Sequence, residues 1–163
     1  TGEILEPALT VPYVNIEGEP LNIEYRIEGG DAIEYETATD AQLFIADRFS
    51  TEWTGPALML DDAVDAIRYM TKRGGYELIS AGRRAPHVLG TPKMRLSEAS
   101  YTILADCEPI YVIAGKDTHL KRSDLEPIAS RARVLRVDGD VNEFVNALTD
   151  KEFDWYLRQA KKL

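Results

Sequence analysis

Four short polar segments hold most of the residues in this sequence that could carry out chemistry. Each follows an apolar run, and they are Asp61-Asp62 with Asp65, Arg83-Arg84, Lys116-Asp117 with Lys121 and Arg122, and Asp138-Gly139-Asp140. Carboxylate oxygens are the ligands that Mg²⁺ prefers, whereas Arg, Lys and backbone N–H groups bind phosphates. Acids and bases in this combination therefore indicate phosphoryl-transfer or nucleic-acid chemistry.

The same residues also have simpler structural explanations. Asp61 and Asp62 could favour the N-terminus of a helix through its dipole. Arg83 and Arg84 could be solvated charges on a surface loop, as most charged residues are. At the level of the sequence, both the structural and the functional interpretations stay open.

Other kinds of chemistry are disfavoured. His87 and His119 are the only histidines, and no cysteine lies near either of them to complete a zinc site. Cys107 is predicted to lie on a helix between two acids, which would raise its pKa and disfavour a nucleophile. The segment Gly115-Lys116-Asp117 lacks the upstream glycine and the Ser or Thr after lysine that a P-loop needs.

The first part of the chain has the pattern of antiparallel strands. Residues 10–16 and 21–27 alternate apolar and polar side chains, and a Gly- and Pro-containing segment separates them. A second glycine turn precedes residues 32–36. The pattern predicts a small antiparallel meander with a strongly acidic exposed face. Residues 41–49 could form either a short helix or a short strand.

The rest of the chain alternates strands with helices. The strands are predicted at 56–60, 76–81, 110–114 and 133–137, and the helices at 61–73, 96–107, 123–131 and 141–163, the last being one long helix or two short ones. This alternation predicts an α/β fold with a mainly parallel sheet. Ligands of such sheets bind beyond the carboxyl ends of the strands, so the four polar segments should meet at one edge. We place an acidic β-rich subdomain at 1–55 and the α/β domain at 56–163.

Charge is divided unevenly along the 163 residues. The net charge is −9, but residues 1–65 hold 15 acids and two bases, while the rest of the chain is basic overall. The basic part could face a phosphate backbone or the protein's own acidic third. No apolar run is long enough to span a membrane, no signal peptide is visible, and a single cysteine suits a reducing compartment. These features lead us to expect a soluble, cytoplasmic protein.

The order of the polar segments resembles a Toprim domain, and the whole chain resembles the primase half of phage-type primase-helicases. Five segments carry the resemblance over about residues 9–150: Val11-Pro-Tyr-Val-Asn-Ile-Glu-Gly18 with Tyr25-Arg26, Leu60-Asp61-Asp62-Ala63-Val64-Asp65, Ser80-Ala81-Gly82, Gly115-Lys116-Asp117 and Gly139-Asp140-Val141-Asn142-Glu143. The resemblance implies a Rossmann-like, mainly parallel sheet with helices on both faces, preceded by the antiparallel subdomain.

The resemblance also implies roles for individual residues. Asp61, Asp65 and Asp117 would be catalytic, and Asp61, Asp117 and Asp140 would hold Mg²⁺. The phosphates of DNA or RNA would be bound by basic residues, namely Arg83, Arg84, Lys116, Lys121 and Arg122.

Two departures from the family pattern lead to competing hypotheses. The family's glutamate is Asp61 here, and its first metal-binding aspartate is Gly115. These losses favour a degenerate module that binds nucleic acid or a replication partner in DNA replication or a related DNA transaction. One alternative is an active Mg²⁺-dependent primase-like nucleotidyltransferase or nuclease. The other is an acidic adaptor or inhibitor that binds a basic protein partner through residues 1–65.

Overall fold

The computed structural model describes residues 8–14, 20–27, 33–35, 44–45, 53–91, 96 and 98–163. The first three strands form a separate antiparallel sheet in the order β1-β2-β3, with β1 at Ala8–Val14, β2 at Pro20–Ile27 and β3 at Ile33–Tyr35. Ala8 pairs with Ile27, and Glu24 pairs with Tyr35. The predicted meander is therefore confirmed.

Six strands form the main sheet in the order β4-β6-β5-β7-β8-β9. Their bounds are β4 Phe44–Ile45, β5 Thr54–Leu60, β6 His87–Gly90, β7 Asp106–Ala114, β8 Ala132–Arg136 and β9 Lys161–Lys162. The four inner strands run parallel, and each edge strand pairs antiparallel with its neighbour. The predicted division of the chain between residues 55 and 56 stays a prediction.

Helices cover both faces of this sheet. They are α1 Ala63–Arg73, α2 Glu98–Leu104, α3 Arg122–Leu125, α4 Val141–Ala147 and α5 Asp150–Leu157. Strand β5 is apolar throughout its second half because both of its faces are buried. Met59 packs into the core on the side of α2 and α3, whereas Leu58 and Leu60 pack on the side of α1, α4 and α5. None of the helices in the described part of the chain is long and apolar enough to cross a lipid bilayer.

The predicted strand at 76–81 is wrong. Residues Ile79–Ala81 form a single 3-10 turn. Strand β6 lies within residues 82–92, which the sequence predicts as a loop because they contain two glycines and two prolines. The buried carboxylate of Asp154 accepts hydrogen bonds from the backbone N–H groups of Ile79 at 2.6 Å and Ser80 at 3.0 Å. These two N–H groups therefore bond to a side chain instead of to a neighbouring strand. The chain then reverses at Gly82 and Arg83, which both have positive φ angles.

Three helix predictions need corrected bounds. Helix α2 ends at Leu104, and Cys107 belongs to β7, because Pro109 disfavours helical geometry in the residue before it. Helix α3 begins at Arg122 and passes into a 3-10 turn at Glu126–Ile128, which contains a proline. The last segment forms two helices, because the chain becomes extended at Leu148 and Thr149. Ser97, which the sequence predicts as the N-terminal cap of the helix at 96–107, lies outside the described residues.

Candidate functional site

The loops after β5, β7 and β8 meet at the carboxyl edge of the sheet, because these three strands are parallel neighbours. They surround an open cavity of about 710 Å³, which we call the edge cavity. Its lining includes most of the predicted site residues: Asp61, Asp65, Lys116, Asp117, Lys121 and Asp140. The predicted convergence of acids and bases is confirmed for these six residues.

Three predicted arginines lie elsewhere. Arg83 and Arg84 precede β6 instead of following a strand, so they lie at the amino edge of the sheet. The Arg84 guanidinium group there donates to the carbonyl oxygen of Glu108, near the start of β7, at 3.5 Å. Arg122 lies on α3 and lines a second cavity. The prediction that the arginines reach the same patch is wrong, whereas their binding to nucleic acid stays a prediction.

Asp61 and Asp62 have different partners, although they are adjacent. The Asp62 carboxylate caps α1 by accepting the backbone N–H group of Val64 at 2.8 Å. The structural explanation therefore holds for Asp62. The Asp61 carboxylate accepts the hydroxyl group of Thr118, which lies in the loop after β7.

Thr118 joins two walls of the edge cavity. Its hydroxyl oxygen also accepts the backbone N–H group of Gly115 at 3.1 Å, and its own N–H group donates to the Gly115 carbonyl oxygen at 3.2 Å. The side chain is buried. The sequence analysis did not identify Thr118 as a site residue. The one feature that could have indicated it is a hydroxyl group in the same loop as the charged residues Lys116 and Asp117.

Asp65 is a buried carboxyl group among other acids. It lies on the first turn of α1 and is 7% exposed. Burial raises its pKa to about 8, and the charges of Asp62 and Asp61, a hydrogen bond with Asp61 and the charge of Asp140 act in the same direction. The neutral form of Asp65 therefore predominates at neutral pH.

A Mg²⁺ site needs oxygen ligands in a nearly ideal octahedral arrangement, and the lining of the edge cavity meets this need only in part. Its carboxylates are the right kind of ligand, but the described residues contain no group of three acids, histidines or cysteines placed to hold a metal ion. A Cβ atom on Gly115 would lie 3.0 Å from the carbonyl oxygen of Gly139 and 3.2 Å from Val141 Cγ2. An aspartate at this position would therefore need the neighbouring loop to shift. As it stands, the site does not fit the ion well.

The acidic surface predicted to bind a basic protein lies largely outside the described residues. Only the strands at 8–14, 20–27, 33–35 and 44–45, and the segment from Trp53 onward, are described within residues 1–65. A protein partner for this surface stays a prediction.

The fold is that of primase catalytic cores. The E. coli primase catalytic core is similar over 98% of this chain and 54% of its own, with a TM-score of 0.66 and 11% sequence identity. A DnaG primase catalytic domain bound to ssDNA is similar over 95% and 53%, with a TM-score of 0.62 and 11% identity. A chain from a bacteriophage T7 assembly, which contains lagging-strand DNA polymerase and primase domains bound to an RNA/DNA hybrid, is similar over 96% and 79%, with a TM-score of 0.55 and 12% identity.

At these identities the similarity establishes the fold alone. The chain spans about half the length of the two DnaG-type structures. No protein-family model matches the sequence, and no curated protein matches it either. The mainly parallel sheet with helices on both faces, which the Toprim resemblance predicted, is confirmed.

Proposed function

We propose that this chain is a degenerate, Toprim-type primase-like module that binds DNA or RNA at the edge cavity without catalysing nucleotidyl transfer. The observation that carries this proposal is the packing at Gly115. No side chain there can supply a metal ligand, and Gly139 and Val141 occupy the space that a longer residue would need. The similar primase domain with bound ssDNA supports nucleic acid as the ligand.

Binding would depend on a few exposed cations. Lys116 and Lys121 are exposed and line the edge cavity, where they can neutralise phosphates. The carboxylates of the same cavity and the net charge of −9 repel nucleic acid. Affinity should therefore be modest and should fall steeply as salt is added.

The test measures binding of a fluorescent oligo(dT) strand of about 20 nucleotides by anisotropy over a range of salt concentrations. In the variant with Lys116→Ala and Lys121→Ala, Kd should rise about tenfold at low salt. The slope of log K against log salt should become shallower by about 1.4, because each lost contact to a single strand contributes about 0.7. The control is Lys151→Ala, an exposed lysine on α5 that does not line the cavity.

Two results would contradict this proposal. One is the absence of any binding by the unaltered protein at low salt. The other is an equal loss of affinity per removed charge in the Lys116/Lys121 variant and in the Lys151 control, which would indicate a general charge effect instead of a site.

A second candidate is an active Mg²⁺-dependent primase-like enzyme. It is favoured by the four carboxyl groups of Asp61, Asp65, Asp117 and Asp140, which line one cavity. In this case Asp61, Asp117 and Asp140 would hold the ion, and the ion would stabilise charge on a transferred phosphoryl group. This function requires that Mg²⁺ bind although Gly115 supplies no carboxylate ligand.

Template-directed incorporation of labelled ribonucleotides, and cleavage of labelled DNA, separate the two candidates. Each reaction is run with Mg²⁺ or Mn²⁺, with the unaltered protein and with Asp117→Asn. Metal-dependent product that disappears in Asp117→Asn would establish the enzyme and refute the non-catalytic proposal. Oligonucleotide binding without product would support the binding module.

A further inference from the structure

A second cavity, of about 660 Å³, lies between α3 and the last two strands of the main sheet. We call it the basic groove. Its floor is apolar and includes Leu120, Leu125 and Val134. Helix α3 separates it from the edge cavity, since Lys121 and Asp124 line that cavity whereas Leu125 lines the groove.

All the charged side chains among the described residues that line the groove are positive. Arg122, Arg136, Lys161 and Lys162 line it, all four are exposed, and none of the described residues in the lining is an Asp or Glu. A patch with one sign of charge around an apolar floor selects ligands that combine the opposite charge with apolar groups. The charge is thus complementary to an acidic ligand.

The groove lies beside the edge of the main sheet. Strand β9 pairs with β8 through Val134–Lys161 and Arg133–Lys162, and it is the outermost strand of the described sheet. Both of its residues are exposed. An edge strand offers backbone N–H and C=O groups to which an extended peptide can add as a further strand.

We infer that the basic groove and the β9 edge form a docking site for an acidic, extended segment of a partner protein. The segment adds to β9 as a strand, because that edge presents backbone groups. Its apolar side chains enter the floor at Leu120 and Val134, and its carboxylates pair with the rim cations. A peptide fits this groove better than a nucleic acid does, because the apolar floor at Leu120, Leu125 and Val134 can bury aliphatic side chains.

The test uses the full chain and a synthetic probe, an acetylated and amidated peptide of alternating Asp and Val with a fluorescent label. Binding is measured by anisotropy and mapped by ¹H–¹⁵N NMR titration. We expect chemical shift changes centred on Lys161, Lys162 and Val134. In the double variant Arg136→Glu with Lys162→Glu, Kd should rise about tenfold or more, because two attractive contacts become repulsive.

Matched controls separate the parts of the proposal. Lys72→Glu with Lys151→Glu makes the same change in charge at exposed lysines that line neither cavity, and it should alter Kd less than about twofold. A probe with Ser in place of Asp tests the charge requirement. A probe that is N-methylated at alternate residues tests the strand pairing, because it lacks the N–H donors. Both altered probes should bind about tenfold more weakly or not at all.

Several outcomes would overturn the inference. They are no binding of the alternating peptide at about 1 mM, shift changes located away from the groove, or equal binding by the charge-reversal variant and the control. Displacement of the peptide by oligo(dT), with the oligo(dT) affinity lost in Arg136→Glu/Lys162→Glu, would assign the groove to nucleic acid instead. Self-association that the same variant abolishes would assign it to a second copy of the chain.

Discussion

At the scale of single residues, the Thr118 hydroxyl group links two loops that lie far apart in the sequence. It donates to the Asp61 carboxylate and accepts from the Gly115 N–H group. The loop after β7 is thereby held against the end of β5. A contact of this kind fixes where Lys116 and Asp117 can lie relative to the acids of α1.

Replacing Thr118 by Val should therefore destabilise the protein. Valine keeps the shape of the side chain but removes both hydrogen bonds and leaves the Gly115 N–H group without its acceptor. We expect a loss of about 1–3 kcal/mol in the free energy of unfolding, measured by urea denaturation. Thr118→Ser, which keeps the hydroxyl group, is the control, and an equal loss in both variants would show that packing and not hydrogen bonding is responsible.

The buried Asp65 carboxyl group makes stability depend on pH. Its pKa is 3.8 in a free side chain and about 8 in the folded protein, so the unfolded state releases a proton that the folded state keeps. The contribution of Asp65 is therefore most favourable below about pH 4 and declines as the pH rises toward about 8, by at most about 1.4 kcal/mol per pH unit.

Asp65→Asn should remove this part of the pH dependence. With a chelator present, the stability of the variant relative to the unaltered protein should improve steadily as the pH is raised across this interval. Asp138→Asn, an exposed acid in the loop after β8, should leave the original slope unchanged. Parallel curves for the unaltered protein and Asp65→Asn would show that Asp65 titrates normally.

At the scale of elements, Arg73 at the end of α1 holds α4 and α5 in place. Its guanidinium group is 3% exposed, pairs with Asp150 at 3.0 Å and donates to the carbonyl oxygens of Val145 and Leu148. It also lies 4.7 Å from the centre of the Phe153 ring. One cation thus satisfies carbonyl groups where α4 ends and an acid where α5 begins.

Arg73→Met should destabilise the protein by about 2–3 kcal/mol, because the carbonyl oxygens lose a buried charged donor, whereas the Asp150 carboxylate is 42% exposed and stays solvated. The neighbouring Lys72→Met is the matched control. Lys72 is exposed and its ammonium group donates to the Asn146 carbonyl oxygen, so its removal should cost about 1 kcal/mol or less. Equal costs in chemical denaturation would mean that the burial of Arg73 adds nothing.

At the scale of the whole molecule, local patterns in the sequence predict the layout better than the positions of individual loops. Alternation indicates the meander, and the apolar runs of β5, β7 and β8 indicate a buried parallel sheet, which brings Asp61, Lys116 and Asp140 to one edge. The 76–81 segment could not be predicted in this way. Its conformation depends on Asp154, a residue about 75 positions away in the chain, and a contact at that distance leaves no trace in local periodicity.

Because residues 76–81 do not form a strand, Arg83 and Arg84 lie before β6, at the amino edge of the sheet instead of the carboxyl edge. Strand β5 separates the two edges by roughly 20 Å, given its seven residues at about 3.3 Å each. A short oligonucleotide bound at the edge cavity therefore cannot reach them, whereas a long one can follow the surface between the edges. Arg83→Ala with Arg84→Ala should weaken binding of an oligo(dT) strand of about 20 nucleotides but not of a dinucleotide, which is much shorter than the distance between the edges. Equal loss for both lengths, measured by anisotropy, would contradict this separation of the two edges.

The four residues of α3 lie between the edge cavity and the basic groove and form a wall of both. If an occupant of one cavity shifts this short helix, it changes the affinity of the other cavity for its ligand. Thermodynamic reciprocity then requires the effect to be mutual: if an acidic segment in one compartment strengthens the hold on a nucleic acid in the other by some factor, the nucleic acid must strengthen the hold on the segment by that same factor. The affinity for each ligand would thus depend on whether the other is bound, and the single turn of α3 would couple the two sites.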